Sequence, residues 1–209
     1  KDKTNLLYTP YWTFDAETES DYTGEYGKDR RKKGPNGEEH VETSWYFVSG
    51  TYKESFDDEL VCATTNHNQF MLHGVEPFRT AENKAYKPEY VAGFAAERYA
   101  IGIKEAWEMA KESIRYKLKG NIERQIERTH NADHVRNLSV HTLFSNLTYK
   151  YLLLPVWISS YKYKEKVYQF MVNGQTGKVS GKTPISIPKV IITVAAVILI
   201  VALIVWMSN

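Results

Sequence analysis

A single cysteine in 209 residues rules out an intramolecular disulfide framework, and its presence alone agrees with a reducing compartment. Cys62 lies in an apolar stretch without a basic neighbour in sequence, so it reads as a small buried hydrophobe rather than a reactive thiolate. The six histidines are scattered. His130 and His134 are four apart, but no Cys or Glu completes a zinc-ligand spacing around them. Charge of one sign is also lacking: 27 Lys and Arg face 25 Asp and Glu, a net +2 that gives no basic excess for nucleic acid. A phosphate loop is missing as well. Gly181-Lys182-Thr183 supplies the end of that motif, but Thr176 stands where its first glycine is required. Gly177-Lys178 runs into Val179 and fails in the same way.

Long hydrophobic runs are absent except for one. Val190 to Met207 is an uncharged run whose only polar residue is Thr193. As a helix it would extend about 27 Å at roughly 1.5 Å per residue, close to the ~30 Å of a bilayer's hydrocarbon. The reading is a transmembrane helix through Val190, Ile198 and Leu203, with Trp206 at the interfacial aromatic belt. Lys178, Lys182 and Lys189 precede it, and lysines before a span mark the cytoplasmic side. The expected placement is therefore a single-pass protein of the cell membrane whose soluble region faces the cytoplasm.

What is present elsewhere is β pattern and tyrosine. Fifteen Tyr and five Trp favour half-buried sheet faces. "NLLYTPYWTF", "TSWYFVSGTYKESF" and "DELVCATT" alternate apolar and polar residues as antiparallel strands do. Between the first two, "GKDRRKKGPNGEEH" is polar and rich in turn residues, and its Arg30-Arg31-Lys32-Lys33 run reads as a solvated hairpin loop. Pro88 opens a segment of helical composition, "EYVAGFAAERYA". After Gly102 a second helix carries Ile103, Trp107, Ala110, Ile114, Leu118, Ile122 and Ile126 at three- and four-residue spacing.

After Asn131 the β pattern returns. "YLLLPVWIS" echoes "LLYTPYWTF", with Pro155 matching Pro10 and Trp157 matching Trp12, which suggests a duplicated β unit. "KVYQFMV", the turn Asn173 to Gly177 and "KVSGK" read as a hairpin. The expected fold is thus α+β, with antiparallel β units flanking a helical section and one C-terminal transmembrane helix. The boundaries are 1–85 for a β-rich unit, 86–130 for the helical section, 131–183 for a second β-rich unit and 184–209 for the juxtamembrane segment and span. Trp12, Trp107 and Trp157 are the candidate structural or interface aromatics. The acidic runs Asp15-Glu17-Glu19-Asp21 and Asp57-Asp58-Glu59 lack the glycine spacing of a calcium loop and read as solvated strand edge. The triplets Asn137-Leu138-Ser139 and Asn146-Leu147-Thr148 have the glycosylation pattern and are read as chance.

"PYWTFDAETESDYTGEYG", "FDDELV", "YKPEYVAGFAAERY" and "KYLLLPVWISSYKYKEKVYQFMVNGQTGKVSGKTPIS" together resemble a bacterial family of membrane-associated zinc-ribbon proteins of the TFIIB type. Its members are often labelled primosomal helicase. The resemblance covers nearly the whole chain. It implies a bacterial membrane adaptor near envelope-stress and scaffold proteins, with no established catalytic activity. The family's cysteine-rich ribbon is lacking here, so no metal or cofactor transfers to any residue, and zinc is expected only if a ribbon stands upstream of Lys1.

Two function classes follow. One is an adaptor or scaffold that recruits proteins at the bacterial membrane, partnered by the lipid bilayer, by its own copies or a second integral membrane protein, and by cytoplasmic scaffold proteins. The other is a nucleic-acid-processing accessory, which the missing helicase motifs and basic excess disfavour. No nucleophile stands beside a base, so catalytic residues are expected to be none, although an enzyme with dispersed residues stays open.

Overall fold

Val, Thr, Tyr and Phe alternate with polar residues over long stretches, and the chain turns them into unusually long strands. The computed structural model describes residues 4–33 and 38–182. Strands β1 (Asn5–Lys33) and β2 (Glu39–Cys62) come first, followed by helices α1 (Gln69–Val75) and α2 (Pro88–Val91) and the short strand β3 (Ala95–Ala96). Helix α3 (Ile103–His130) leads into β4 (His134–Tyr163), β5 (Lys166–Asn173) and β6 (Val179–Gly181). The sheet order is β2-β1-β4-β5-β6, with antiparallel neighbours throughout, and β3 adds to β1 in parallel at Leu7 and Tyr8.

Two β units around a helix were expected, and one sheet is found. β1 lies between β2 and β4, so strands from both halves of the chain pair directly. The two echoing segments are antiparallel neighbours in that sheet: Tyr8 faces Pro155, Thr9 faces Leu154 and Leu6 faces Trp157. The membrane-span expectation is corrected too. Among the described residues no helix is long and apolar enough to cross a membrane. α3 has the length, at 28 residues, but carries charged side chains along all of it. The stretch with Val190, Ile198, Leu203 and Trp206, together with Lys189, lies outside the described residues. The single-pass placement at the cell membrane is withdrawn accordingly.

Even-numbered β1 residues from Trp12 to Tyr26 face α3. Trp12, Phe14 and Val61 pack with Ile101, Ala106 and Ala110, while Val48 packs with Ile122 and Ile126 further along. The buried positions of α3 are Ala106, Ala110, Ile114, Leu118, Ile122 and Ile126, an unbroken four-residue spacing. At about 100° per residue each such step advances the stripe by roughly 40°. The contact line therefore spirals around the helix, as a strongly twisted sheet demands. On the opposite face, near the start of β1, α1 covers a second core of Tyr11, Cys62, Leu72, Val75, Leu154 and Val156. Asn68 caps α1, its side-chain oxygen accepting from Met71 N–H at 3.1 Å. Between the helices, "EYVAGFAAERYA" does not form the expected helix: α2 is four residues long, and Gly93 at φ +84° ends it.

Three bulges let the long strands twist. Pairing shifts by one residue at Asp57-Asp58 on β2, and at Asn137-Leu138 and Asn146-Leu147 on β4. Asp58, Asn137 and Asn146 have φ of 54°, 53° and 51°, the left-handed region that Asn and Asp tolerate best. The glycosylation-type triplets are thus bulge signatures. Each Asn side chain is used: Asn137 Nδ2 donates to Glu25 at 3.0 Å, and Asn146 Nδ2 to Glu17 at 2.7 Å. A bulge reverses strand parity. That is why Glu59 and Val61 point to α3 while Leu60 and Cys62 point to the other core.

Candidate interaction surface

β1 places its odd residues beyond Asp15 on the sheet face away from α3, a face that no helix or strand covers among the described residues. Asp15, Glu17, Glu19, Asp21, Glu25 and Asp29 form one row on the central strand. Alternate residues of a strand are about 6.6–6.8 Å apart, so the row runs roughly 46 Å. Strand pairing brings Asp57 and Asp58 to its near end, where the carboxylates of Asp15, Asp57 and Asp58 lie within 4.8 Å of one another. The two acidic runs, read separately from the sequence, thus meet in space.

Among the described residues, three permanent cations answer these eight carboxylates. Lys150 Nζ stands 3.2 Å from Asp58 and 3.5 Å from Asp15, Lys53 pairs with Glu19 at 3.0 Å, and Arg136 with Glu25 at 2.8 Å. His134 Nε2 adds a contact to Asp29 at 3.0 Å. Glu17 and Asp21 have neutral partners, the Asn146 amide and the Thr51 hydroxyl. The Asp15–Asp57–Asp58 corner is held as an ion-pair network rather than as an open cation cage. Burial raises the Asp15 carboxyl, but the N–H of Asp58, the Thr148 hydroxyl and Lys150 together take it below the usual range. Asp57, hydrogen-bonded to Asp15 and beside Asp58, is pushed up. The hydrogen bond to Asp58 and the surrounding negative charge raise Lys150.

Exposed apolar side chains flank the acidic row. Phe47, opposite Glu25 on β2, is 71% exposed, and Leu143, opposite Glu19 on β4, is 63% exposed. At the far end the Arg136 guanidinium stacks on Trp45 at 3.7 Å. Sequence reasoning passed over Phe47, Leu143 and the long-range meeting of acids. The one available signal was the strict alternation of carboxylates from Asp15 to Asp21.

The sequence-derived aromatics separate into different roles. Trp12 is core: its Nε1 donates to Ile101 O at 2.9 Å, and its ring packs on Tyr99 and Tyr151. Trp107 is half-buried between the rings of Phe14 and Phe144. Trp157 is 38% exposed, on the α3 side of the sheet and away from the acidic row. Among the basic candidates, Lys178 Nζ donates to the carbonyl of Glu76, and Lys182 is exposed beyond β6. Cys62 is buried, and burial raises its thiol. His130 stacks on Tyr26 and His134 contacts Asp29, so the two do not form a pair.

The chain is 31% identical over 194 residues to an uncharacterized protein, YdjG, of Bacillus subtilis (strain 168). The match takes in 88% of this chain and 53% of the relative, so the chain spans about half the length of the curated relative it matches. No protein-family model matches the chain, and no solved structure matches it.

Proposed function

We propose that the chain is a protein-docking module whose open sheet face binds a basic, extended segment of a partner protein. The observation that supports this reading is the row of carboxylates on the central strand, with Glu17 and Asp21 lacking cationic partners among the described residues. An extended peptide repeats its same-side residues at the same ~6.6–6.8 Å interval as the row, so lysines or arginines at alternate positions match it one to one. Phe47 and Leu143 supply apolar contact at the flanks, and excess negative charge speeds encounter with a basic partner. The same charge repels a phosphate backbone, which disfavours the nucleic-acid reading. The function is recruitment, without chemistry on the bound segment.

Photo-crosslinking tests the reading directly. A photoreactive residue replacing Thr23, in the middle of the open face, should capture a partner in cells, and neutralising Glu17 and Asp21 as Gln and Asn should reduce that capture several-fold. The same probe replacing Tyr116, 83% exposed on the outer face of α3, should not capture it. Equal capture from both positions would contradict the proposal.

A further inference from the structure

β2 forms one edge of the sheet. Among the described residues β1 is its one strand partner, so from Glu39 to Phe56 its other side meets no strand. Hydrogen bonds at the ends of β1 show where the free backbone groups of β2 point. The carbonyls of Tyr8 and Pro10 accept from Glu97 and Ala63 on the β2 side, while the carbonyl of Gly27 accepts from Asp133 on the β4 side. Even residues of β1 thus bond toward β2 and odd ones toward β4. Lys28 faces Ser44 and Tyr22 faces Gly50, so the even residues of β2 up to Glu54 bond inward. Its odd residues from Val41 to Lys53 aim their N–H and C=O groups outward, away from the sheet.

Sheet edges are normally blunted by proline, bulges or repeated lysine. Between Glu39 and Phe56 there is no proline and one lysine, Lys53, and the β2 bulge lies beyond, at Asp57-Asp58. The first half of β4, the other long edge without a second strand partner among the described residues, is broken by the bulges at Asn137 and Asn146. The β2 edge instead presents Val41 and Phe47, 60% and 71% exposed. A regular, unprotected edge of this length is a template for another strand.

We propose that β2 pairs antiparallel with β2 of a second copy of this chain, about a two-fold axis through Tyr46, so that two sheets become one. A two-fold axis normal to the sheet keeps each face on its own side, so opposite residues have the same parity. Centred on Tyr46, Trp45 stands opposite Phe47 of the second copy, Val41 opposite Thr51 and Glu39 opposite Lys53, and the symmetry repeats each pair. These are outward-pointing residues, so each pair exchanges both of its backbone hydrogen bonds. The most exposed large apolar side chain of the strand meets an aromatic ring, and opposite charges meet at both ends. Moving the axis to Val48 sets Glu42 opposite Glu54, like charge against like. Moving it to Phe47 leaves Lys53 opposite Val41. The two acidic rows come to lie three strand spacings apart, about 14 Å, where screening over about 8–10 Å weakens their repulsion. The pairing uses the edge of the sheet and does not rest on what the acidic face binds.

Cysteine cross-linking reads this register, because the native Cys62 is buried. Tyr46→Cys lies on the axis in a non-hydrogen-bonded pair, with Cα atoms about 4.5 Å apart and within the span of a disulfide. Under mild oxidation the purified full chain carrying it should form a covalent homodimer, and so should a mixture of Val41→Cys and Thr51→Cys chains. Thr51→Cys alone should not, since its two copies stand roughly 34 Å apart along the paired strands. Adding Ser49→Pro to Tyr46→Cys deletes an outward N–H that the isolated sheet leaves unused, and should cut the covalent dimer roughly tenfold or more. Thermal melts show whether that variant is folded, and the comparison of cysteine positions stands without it. The proposal is overturned if Tyr46→Cys dimerises no more than Thr51→Cys, if the Val41→Cys and Thr51→Cys mixture fails to cross-link, or if a folded Ser49→Pro chain cross-links as before.

Discussion

Replacing Asn146 by valine separates a bulged β4 from a regular one, because the two give opposite signs. In a regular half-exposed strand, valine is the better β residue and the substitution would stabilise. Here Asn146 sits at φ 51°, where a Cβ costs roughly 1–2 kcal/mol and a β-branched side chain is worse still. The amide also donates to Glu17 at 2.7 Å, an exposed bond at the low end of about 0.5–1.5 kcal/mol. Asn146→Val is therefore expected to lose about 2 kcal/mol and Asn146→Ala about 1 kcal/mol, with Asn146→Gly within about 0.5 kcal/mol of the parent because glycine has no Cβ to strain. Asn137, at φ 53° and bonded to Glu25, should behave alike. The two sites lie nine residues apart with separate partners, so their losses should add. Urea unfolding followed by circular dichroism reads this out, with a loss of 1 kcal/mol shifting the midpoint by about 0.5 M at a slope near 2 kcal/mol/M. An Asn146→Val chain as stable as the parent would refute the bulge assignment, and with it the account of how the sheet twists around α3.

Further consequences concern the core and its charges. Leu118 is fully buried in the middle of α3, so Leu118→Ala should cost about 2–5 kcal/mol in the same assay, whereas Tyr116→Ala on the exposed side should change little. Burial raises the Glu76 carboxyl against a smaller opposing pull from His73. A raised folded value means that the native state holds its proton longer than the unfolded chain. Its contribution is then fully present below the ordinary carboxylate range and declines as pH rises through the folded value. Glu76→Gln should accordingly stabilise the chain at neutral pH and flatten that decline, as thermal melts across pH would show. Because Lys150 already contacts Asp15 and Asp58 at that corner, millimolar calcium or magnesium should leave the melting temperature unchanged, and a rise of several degrees would contradict that view.

Much of this fold was legible, and what was not has definite causes. The α3 stripe could be read because Ala110, Ile114, Leu118, Ile122 and Ile126 recur at helical spacing whatever they pack against. The β5–β6 turn could be read because Asn173 accepts from the N–H groups of Gln175 and Thr176, and Gly177 takes a φ of +74°. Pairing between distant strands could not. Nothing local says that Pro10 and Pro155 lie on neighbouring strands, since register is set by burial on both faces at once. The bulges were hidden because Asn-Leu-Ser and Asn-Leu-Thr match a better-known pattern. The acidic surface was half visible: alternation put Asp15 to Asp21 on one face, but only the β2 bulge brings Asp57 and Asp58 beside them.

The central claim is that the open sheet face docks a basic extended segment, and salt-dependent peptide binding tests it most directly. The probe is a fluorescent peptide with lysine or arginine at alternate positions, titrated with the full chain and followed by anisotropy. Binding should weaken steadily as salt rises, since exposed charge contacts are screened beyond about 8–10 Å at physiological ionic strength. The Glu17→Gln, Asp21→Asn double variant should lose about threefold to tenfold in affinity, as two exposed ion pairs warrant, without a change in melting temperature. Affinity that is indifferent both to salt and to those two carboxylates would contradict the account.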